Sequence, residues 1–189
     1  RAKRVIMALS PSQARTIAFD PALPAPRATL QTVWPMLSDM TKVAMVYATP
    51  FWREAGLSGQ SFTTEGGAYL FAWDNSPPDA AVGALGCFVP VKNREPLTAE
   101  ARKTALIDAY VKCFGPKAAA PIGYHEQDWM LERFTRGCVS PLAPGLLTRA
   151  GSALRPTLGC LEWAGTETAL IWNGYMDGAV RAGHEAALR

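Results

Sequence analysis

The fold is decided near the C-terminus by residues 161–180, which read LEWAGTETALIWNGYMDGAV. A short apolar run is followed by a turn at Gly165, a loop rich in hydrogen-bonding side chains, and a helix predicted over 174–187. Free N–H groups at the start of a helix attract anionic or electron-rich ligand groups. Because Gly174 and Gly178 have no side chains, a flat ring or a phosphate can approach this turn closely. The alternative is a tightly packed strand–helix corner whose glycines serve packing alone.

Outward from this stretch, apolar runs that end at turn residues predict further strands. The run at 4–9 is continuously apolar at its centre, so we expect a buried strand there. A turn signal at 74–79 separates two consecutive strands. Short turns between consecutive strands favour a mixed, largely antiparallel sheet. The predicted strands lie at 4–9, 42–49, 67–73, 81–91, 122–129 and 160–164.

The clearest helix is predicted over 98–114, with Thr98 as the N-cap and a stop at Gly115. Its apolar residues recur every three or four positions, and we expect that face, including Cys113, to lie in the core. The prolines at 20–26 predict a turn-rich linker. Because helices are inserted among strands, the predicted fold class is α+β.

The composition of the 189 residues excludes several classes of protein. Apolar residues make up 49% and charged residues 19%, which excludes intrinsic disorder. The net charge of +3 is mild and the basic residues are scattered, unlike a nucleic-acid-binding patch. No apolar run approaches the ~20 residues of a membrane span. The four cysteines form no CxxC pair, so we expect neither a disulfide scaffold nor a metal site, and a reducing compartment, the cytoplasm, is the default.

Several distinctive stretches follow one another in this chain. They are VIMA at 5–8, FDPALP at 19–24, KVAMVY at 42–47, PFWR at 50–53, DW at 128–129, RGC at 136–138, WAGTETA at 163–169 and WNGYMDGAV at 172–180. Together they resemble the flavin-containing monoamine oxidase family over essentially the whole chain. Several motifs in the right order are far more specific than any one of them.

The resemblance implies the C-terminal portion of that family's fold. Family members begin with a GxGxxG βαβ unit that holds the ADP half of FAD, and no such pattern occurs here. Residues 1–20 would be a strand and connector leaving the FAD domain, 21–150 the substrate-binding domain, and 151–189 the terminal FAD-binding strand and helix. The missing initiator methionine likewise suggests a fragment or a processed product.

Two positions match catalytic residues of the family. Lys42 matches the lysine that reaches the flavin N5 through a water, where a cation stabilises the charge of the reduced ring. Tyr175 matches one of the two aromatic residues that flank the amine in front of the flavin and exclude water. The second aromatic residue would fall at Val139, so this aromatic cage is incomplete. A wider pocket for a bulkier amine would be one consequence.

The resemblance also implies FAD as the cofactor and assigns residues that bind it. Cys138 aligns with the cysteine that forms a thioether to the flavin in the animal enzymes, and an unmodified, buried cysteine is the alternative. Trp129 resembles a tryptophan that packs beside the isoalloxazine ring. Further cofactor contacts, mainly through backbone N–H groups, are expected at Gly165, Thr166, Glu167, Gly174 and Met176, although Glu167 can instead organise the turn.

By this resemblance the whole enzyme oxidises an amine to an imine, which hydrolyses to an aldehyde and ammonia, and oxygen reoxidises the flavin to give hydrogen peroxide. Two other functions stay open: a stand-alone binding module that has lost catalysis, and one chain of a split oxidase. The expected partners are an amine substrate and either the missing FAD domain or a second copy of this chain. Exposed apolar surface is predicted at residues 5–9 and on the last helix, where the FAD domain would dock.

Overall fold

Helices are inserted among strands along the chain, in agreement with the predicted α+β class. The computed structural model describes residues 1–36, 40–64, 67–90, 97–137 and 140–189. The described elements are β1 (Val5–Met7), α1 (Pro11–Ala14), α2 (Ala25–Val33), β2 (Met40–Tyr47), α3 (Phe51–Glu54), β3 (Ser61–Phe62), β4 (Phe71–Asp74), β5 (Gly83–Pro90), α4 (Ala99–Phe114), β6 (Gly123–Asp128), α5 (Leu146–Ala150), β7 (Leu161–Trp163) and α6 (Met176–Leu188). Short 3₁₀ turns lie at Pro116–Ala119, Trp129–Leu131, Gly151–Ala153 and Thr166–Thr168.

The chain divides into two compact units. The sheet unit comprises Asp39–Arg133, and the terminal unit comprises Arg1–Ser38 together with Phe134–Arg189. These units are defined by compactness, whereas the three-part division predicted from the sequence is defined by function. The three-part division therefore stays a prediction.

The sheet unit is built on five antiparallel strands in the order β3-β4-β5-β2-β6, which confirms the predicted, largely antiparallel sheet. Along β2, the residues Val43, Met45 and Tyr47 are buried and alternate with more exposed ones, because successive side chains of a strand point to opposite faces. Leu106 and Tyr110 of helix α4 join these residues in one apolar core. The alternate residues of β2 therefore lie on the other, more open face of the sheet.

Helix α4 has the boundaries that the sequence predicts. The Thr98 hydroxyl accepts a hydrogen bond from a first-turn N–H, and the helix ends at Gly115, whose φ is 90°. The prediction that Cys113 lies in the core is wrong, because its side chain is exposed. It lies at the edge of the apolar face, where its sulfur is 3.4 Å from the Tyr69 hydroxyl. The buried face instead centres on Leu106, Tyr110 and Phe114.

Two segments differ from the structure predicted for them. The strand predicted at 67–73 forms only at Phe71–Asp74, because the Gly67 N–H closes a turn with the carbonyl three residues earlier. Helix α2 begins at Ala25, inside the segment predicted as a linker. Pro26 lies in its first turn, where a missing N–H costs nothing.

In the terminal unit, β1 pairs with β7 as a parallel two-stranded sheet. Val5 and Ile6 are 37% and 47% exposed, so the prediction of a buried strand at 4–9 is wrong. The prediction of exposed apolar surface here and on the last helix is confirmed, since Val180 and Leu188 of α6 are also exposed. A small apolar core forms elsewhere in this unit, from Leu30, Trp34, Leu146 and Leu154.

Candidate functional site

The segment between β7 and α6, residues 164–175, is here named the terminal loop. Trp172 and Gly174 have positive φ angles of 56° and 87°, so the chain turns sharply before the helix. The Thr166 hydroxyl joins the two ends of the loop, because it accepts a hydrogen bond from the Gly174 N–H at 2.6 Å and donates one to the Tyr175 carbonyl at 3.0 Å. The loop is thus closed by one of its own side chains.

The Asn173 side chain holds the loop from within. Its amide nitrogen lies 2.9 Å from the Thr166 carbonyl oxygen, 3.1 Å from that of Glu167 and 3.4 Å from that of Ala169, and donates to them. No role was predicted for Asn173 from the sequence. The available signal was the Asn-Gly pair ahead of a helix, because asparagine side chains commonly bond to nearby backbone groups.

The glycines of this region are needed for different reasons. Helix α6 begins at Met176, two residues after the predicted start, and Tyr175 is its N-cap. A Cβ at Gly178 would collide with the Trp172 carbonyl oxygen, so this glycine serves packing, which is the alternative that the sequence left open. A Cβ at Gly174 would meet nothing within 4 Å. The space beside Gly174 is therefore open, and its φ of 87° explains why glycine stands there.

A cavity of about 240 Å³ lies against the terminal loop. Three of the predicted cofactor-binding residues, Thr166, Glu167 and Gly174, line it. Burial raises the pKa of the Glu167 carboxyl, which has no hydrogen bond or ion pair with another described side chain. The Glu167 carboxyl, to which no other described side chain donates, and the open space beside Gly174 therefore belong to one cavity. The other residues that line it are Trp34, Ser140, Leu142 and Asn173.

Three further predicted residues belong to the same region without lining this cavity. Gly165 is the second residue of the terminal loop and has a φ of 98°. Tyr175 and Met176 are 64% and 87% exposed. Helix α6 has no side-chain cap, so the backbone N–H groups of its first turn are free to meet an electron-rich ligand.

Lys42 lies in the sheet unit, on the open face of the sheet. Its side chain is exposed, and its Nζ is 5.4 Å from the centre of the Trp73 ring, which is a cation–π contact. Across the strand pair it stands opposite Phe88. The structure therefore holds this lysine beside aromatic surface and not in a purely solvated position.

Beside this lysine runs a row of aromatic rings that was not predicted from the sequence. Ring centres are 4.5 Å apart for Phe62 and Phe71, 5.6 Å for Phe71 and Trp73, and 5.0 Å for Trp73 and Phe88. We name these four residues the aromatic row. Gly86 permits the arrangement, because a Cβ there would lie 2.8 Å from the Trp73 ring. The sequence signal for this row was the alternation along β4 and β5, in which the residues between the aromatic ones point to the core.

The remaining predicted residues are Trp129 and Cys138. Trp129 opens the 3₁₀ turn after β6, in the sheet unit, and is partly exposed. Cys138 and Val139 lie outside the described residues, so the thioether and the incomplete aromatic cage stay predictions. Over the described ranges, His, Cys, Asp and Glu nowhere cluster in a way that could hold a metal ion. None of the helices described is both long enough and apolar enough to cross a membrane.

Comparisons with known proteins agree on one family. The family model for flavin-containing amine oxidoreductases matches residues 1–189. The structure resembles cyclohexylamine oxidase from Brevibacterium oxydans, with a TM-score of 0.90 and 39% identity over 99% of this chain and 42% of that one. It also resembles putrescine oxidase bound to putrescine, with a TM-score of 0.86 and 34% identity over 98% of this chain and 42% of that one.

Sequence relatives lead to the same family. The amine oxidase [flavin-containing] B of Sus scrofa is 39% identical over 98% of this chain and 37% of its own length. The probable flavin-containing monoamine oxidase A of Dictyostelium discoideum is 35% identical over 97% of this chain and 41% of its own length. The chain thus spans about two-fifths of the length of the relatives it matches. With the family model matching from the first residue to the last, this chain belongs to the flavin-containing amine oxidoreductase family.

Proposed function

We propose that this chain is part of an FAD-dependent amine oxidase, which converts an amine to an aldehyde with release of ammonia and hydrogen peroxide. The observation that carries the proposal is the cavity of the terminal loop in a chain of this family; the Glu167 carboxyl, which forms no hydrogen bond or ion pair with another described side chain, lies in its wall. A bound flavin would supply the hydride acceptor for amine oxidation, with oxygen as the terminal oxidant. Because the chain spans about two-fifths of its relatives, the rest of the cofactor site is taken to come from residues that it does not contain.

The terminal loop fits the polar part of FAD. The Glu167 carboxyl can accept a hydrogen bond from a ligand hydroxyl, and the open space beside Gly174 admits a flat group. Backbone N–H groups of Gly165, Thr166 and Met176 are proposed to donate to oxygen atoms of the cofactor. In this role their side chains matter less than the conformation of the loop.

Lys42 and Tyr175 are the proposed catalytic residues. Lys42 is an exposed cation beside the Trp73 ring, and we assign it the task of orienting a water at the flavin site and favouring negative charge there. Tyr175 presents an exposed ring at the start of α6, and we assign it the task of directing the neutral amine and excluding water. Trp129 is proposed to pack beside the flavin ring.

The aromatic row favours an amine with an apolar body. Its four rings form a continuous surface on the open face of the sheet, next to the Lys42 ammonium. Apolar and aromatic walls with few polar groups are typical of small-molecule sites. Among the substrates that the relatives' names give, cyclohexylamine ends in an apolar ring, whereas putrescine carries an amine at both ends of its methylene chain. We therefore propose cyclohexylamine as the better of the two probes.

A covalent bond between Cys138 and the flavin is part of the proposal. Precipitation of the assembled protein with acid separates the two cases, because a thioether keeps the yellow colour in the pellet. A colourless pellet with a yellow supernatant would leave Cys138 as an unmodified residue.

The test of the proposed function uses the 189-residue chain alone and the same chain co-expressed with the part of cyclohexylamine oxidase that has no counterpart here. We expect flavin absorption after gel filtration, and peroxide formation with cyclohexylamine, in the co-expressed sample. Lys42→Met should slow peroxide formation, whereas Lys112→Met, which removes an exposed lysine of α4, should not. A colourless product in both samples that still binds an apolar ligand would instead support the stand-alone binding module.

A further inference from the structure

Trp172 combines an unusual backbone conformation with an exposed side chain. Its φ of 56° lies in the left-handed region, which bulky residues rarely adopt. Its side chain is 58% exposed, so burial in the core does not account for the residue. Such a conformation persists only where surrounding contacts require it. The contacts of Trp172 therefore indicate what the residue is for.

The backbone of Trp172 contacts the start of helix α6. Its carbonyl accepts a hydrogen bond from the Tyr175 N–H at 3.1 Å. The same carbonyl oxygen takes the space that a Cβ at Gly178 would occupy. The turn from Trp172 to Tyr175 is thereby packed against the first turn of the helix.

The ring of Trp172 also contacts Tyr175. The indole and the Tyr175 ring lie 5.5 Å apart between centres, at an interplanar angle of 85°, which is the favourable edge-to-face arrangement. Among the residues that the structure describes, no second aromatic ring contacts the Tyr175 ring. The tyrosine is itself mostly exposed, so over the described residues the indole is the one aromatic contact that restricts its phenol.

We propose that Trp172 is a positioning residue that fixes the ring of Tyr175 at the start of α6. The inference rests on the proposed function, in which Tyr175 directs the amine. Without the indole, the phenol ring would sample more than one rotamer, and the amine would spend less time in a productive orientation. The strained backbone of Trp172 is kept because it brings the indole and the helix start together.

The first experiment concerns the ring itself and needs no cofactor. Nuclear magnetic resonance of the 189-residue chain, with tyrosine rings labelled, reports the ring-current shift that the indole imposes on Tyr175. Trp172→Gly removes the ring but accepts the positive φ, so it should abolish that shift and leave the amide signals of α6 in place. Trp172→Phe should keep part of the shift. Ile171→Ala, which removes an exposed neighbour, should leave it unchanged.

Two results would overturn the positioning role at this stage. One is an unchanged Tyr175 signal in Trp172→Gly. The other is a Tyr175 signal that moves equally in Trp172→Gly and in Ile171→Ala, because then any loss of apolar surface has the same effect. If Trp172→Gly does not fold, the graded comparison of Trp172→Phe with Ile171→Ala decides the matter, since the phenylalanine variant keeps a ring.

The second experiment is a double-mutant cycle in the co-expressed, flavin-loaded protein. Trp172→Gly should lower kcat by about tenfold with flavin absorption retained, and Trp172→Phe should recover most of it. In a Tyr175→Ala background, Trp172→Gly should have no further effect, because the two residues act through one ring. A tenfold effect that persists in that background would overturn the inference. Absence of any amine oxidation by the unsubstituted protein would refute the proposed function instead, while the ring signals would still test the positioning of Tyr175.

Discussion

The sheet unit and the terminal unit differ in how completely they satisfy their buried polar groups. In the sheet unit, Asp74 accepts hydrogen bonds from Trp52 at 2.8 Å and from Arg53 at 2.7 Å. Arg102 binds Glu126 through two nitrogens, at 3.2 and 2.6 Å. Over its described residues, this unit leaves a single buried side-chain polar atom, the Tyr110 hydroxyl, without an oxygen or nitrogen partner, and that hydroxyl interacts with the Cys87 thiol. Three such atoms, all donors, occur in the described part of the terminal unit: Arg27 Nε, Gln31 Nε2 and Trp163 Nε1.

Arg27 shows what this difference means. Its guanidinium carbon lies 3.4 Å from the centre of the Trp163 ring, and it donates to the carbonyls of Ala153 and Leu154. Burial lowers the pKa of Arg27 to about 10. A buried donor without an acceptor costs free energy, and the strand β1 beside this region exposes Val5 and Ile6. The sheet unit thus satisfies nearly all of its described buried polar groups, whereas the terminal unit leaves three buried donors without an acceptor.

The largest effects are expected from core substitutions, each of which should destabilise one unit and leave the other intact. Leu106→Ala should destabilise the sheet unit by about 3 kcal/mol, because Leu106 is fully buried between α4 and the sheet. Leu30→Ala should act similarly on the terminal unit. Hydrogen exchange followed by mass spectrometry resolves the units, and Leu188→Ala, at an exposed position, is the control. Equal loss of protection in both units after either core substitution would show that they unfold together.

The next prediction concerns the terminal loop. Gly178→Ala should cost about 2–3 kcal/mol, because its Cβ would meet the Trp172 carbonyl oxygen, a backbone atom that cannot move aside cheaply. Gly183→Ala lies on the same helix with nothing within 4 Å of its Cβ, so it should stabilise by up to about 1 kcal/mol. Thermal unfolding followed by circular dichroism measures both. Similar melting temperatures for the two variants would contradict the packing assigned to Gly178.

These two units also differ in how far they could be predicted from the sequence. Helix α4 was predicted almost to the residue, because Thr98 and Gly115 are local signals for its ends. Helix α2 was not predicted, because its prolines also fit a linker and only tertiary contacts of Leu30 reveal the helix. In β1, the apolar run at Val5–Met7 indicates a strand, but what covers it is not encoded in those three residues.

The candidate site shows the same limit. Thr166 and Glu167 were identified because their motif is contiguous, and they do line one cavity. The aromatic row was not identified, because its members come from three strands and meet only after Gly86 lets the Trp73 ring lie over β5. A pattern within one element predicts that element, whereas a surface assembled from several strands depends on their register.

A smaller effect is expected from the charge of Asp74 in the sheet unit. Burial opposes that charge, but hydrogen bonds from Arg53, Ser76 and Trp52 outweigh it and hold the pKa of Asp74 well below its usual range. A carboxyl whose pKa is lower in the folded state stabilises the fold above the unfolded value of ~3.9, and that contribution is lost as the pH falls towards the folded value. Asp74→Asn should therefore cost about 1 kcal/mol at pH 7 and flatten the acid dependence of stability.

Urea unfolding between pH 2 and pH 7 measures this dependence. Asp108→Asn, which removes an exposed carboxylate from α4, is the matched control and should change neither the stability at pH 7 nor its slope by much. A steep acid loss that survives in Asp74→Asn would mean that other carboxylates govern the acid stability of the sheet unit.

The smallest change in stability is expected at the open strand of the terminal unit. Ile6→Thr keeps a β-branched side chain on β1, and since Ile6 is already half exposed it should change the free energy of unfolding by no more than about 0.5 kcal/mol. It should nevertheless reduce self-association in sedimentation experiments, because it removes apolar area from a surface that nothing in this chain covers among the described residues. Thr32→Val adds apolar area on an exposed side of α2 instead of removing it, and as a control it should not reduce self-association. A marked loss of stability in Ile6→Thr would instead mean that β1 is buried within the terminal unit, and the contrast between the two units would then rest on the unsatisfied donors alone.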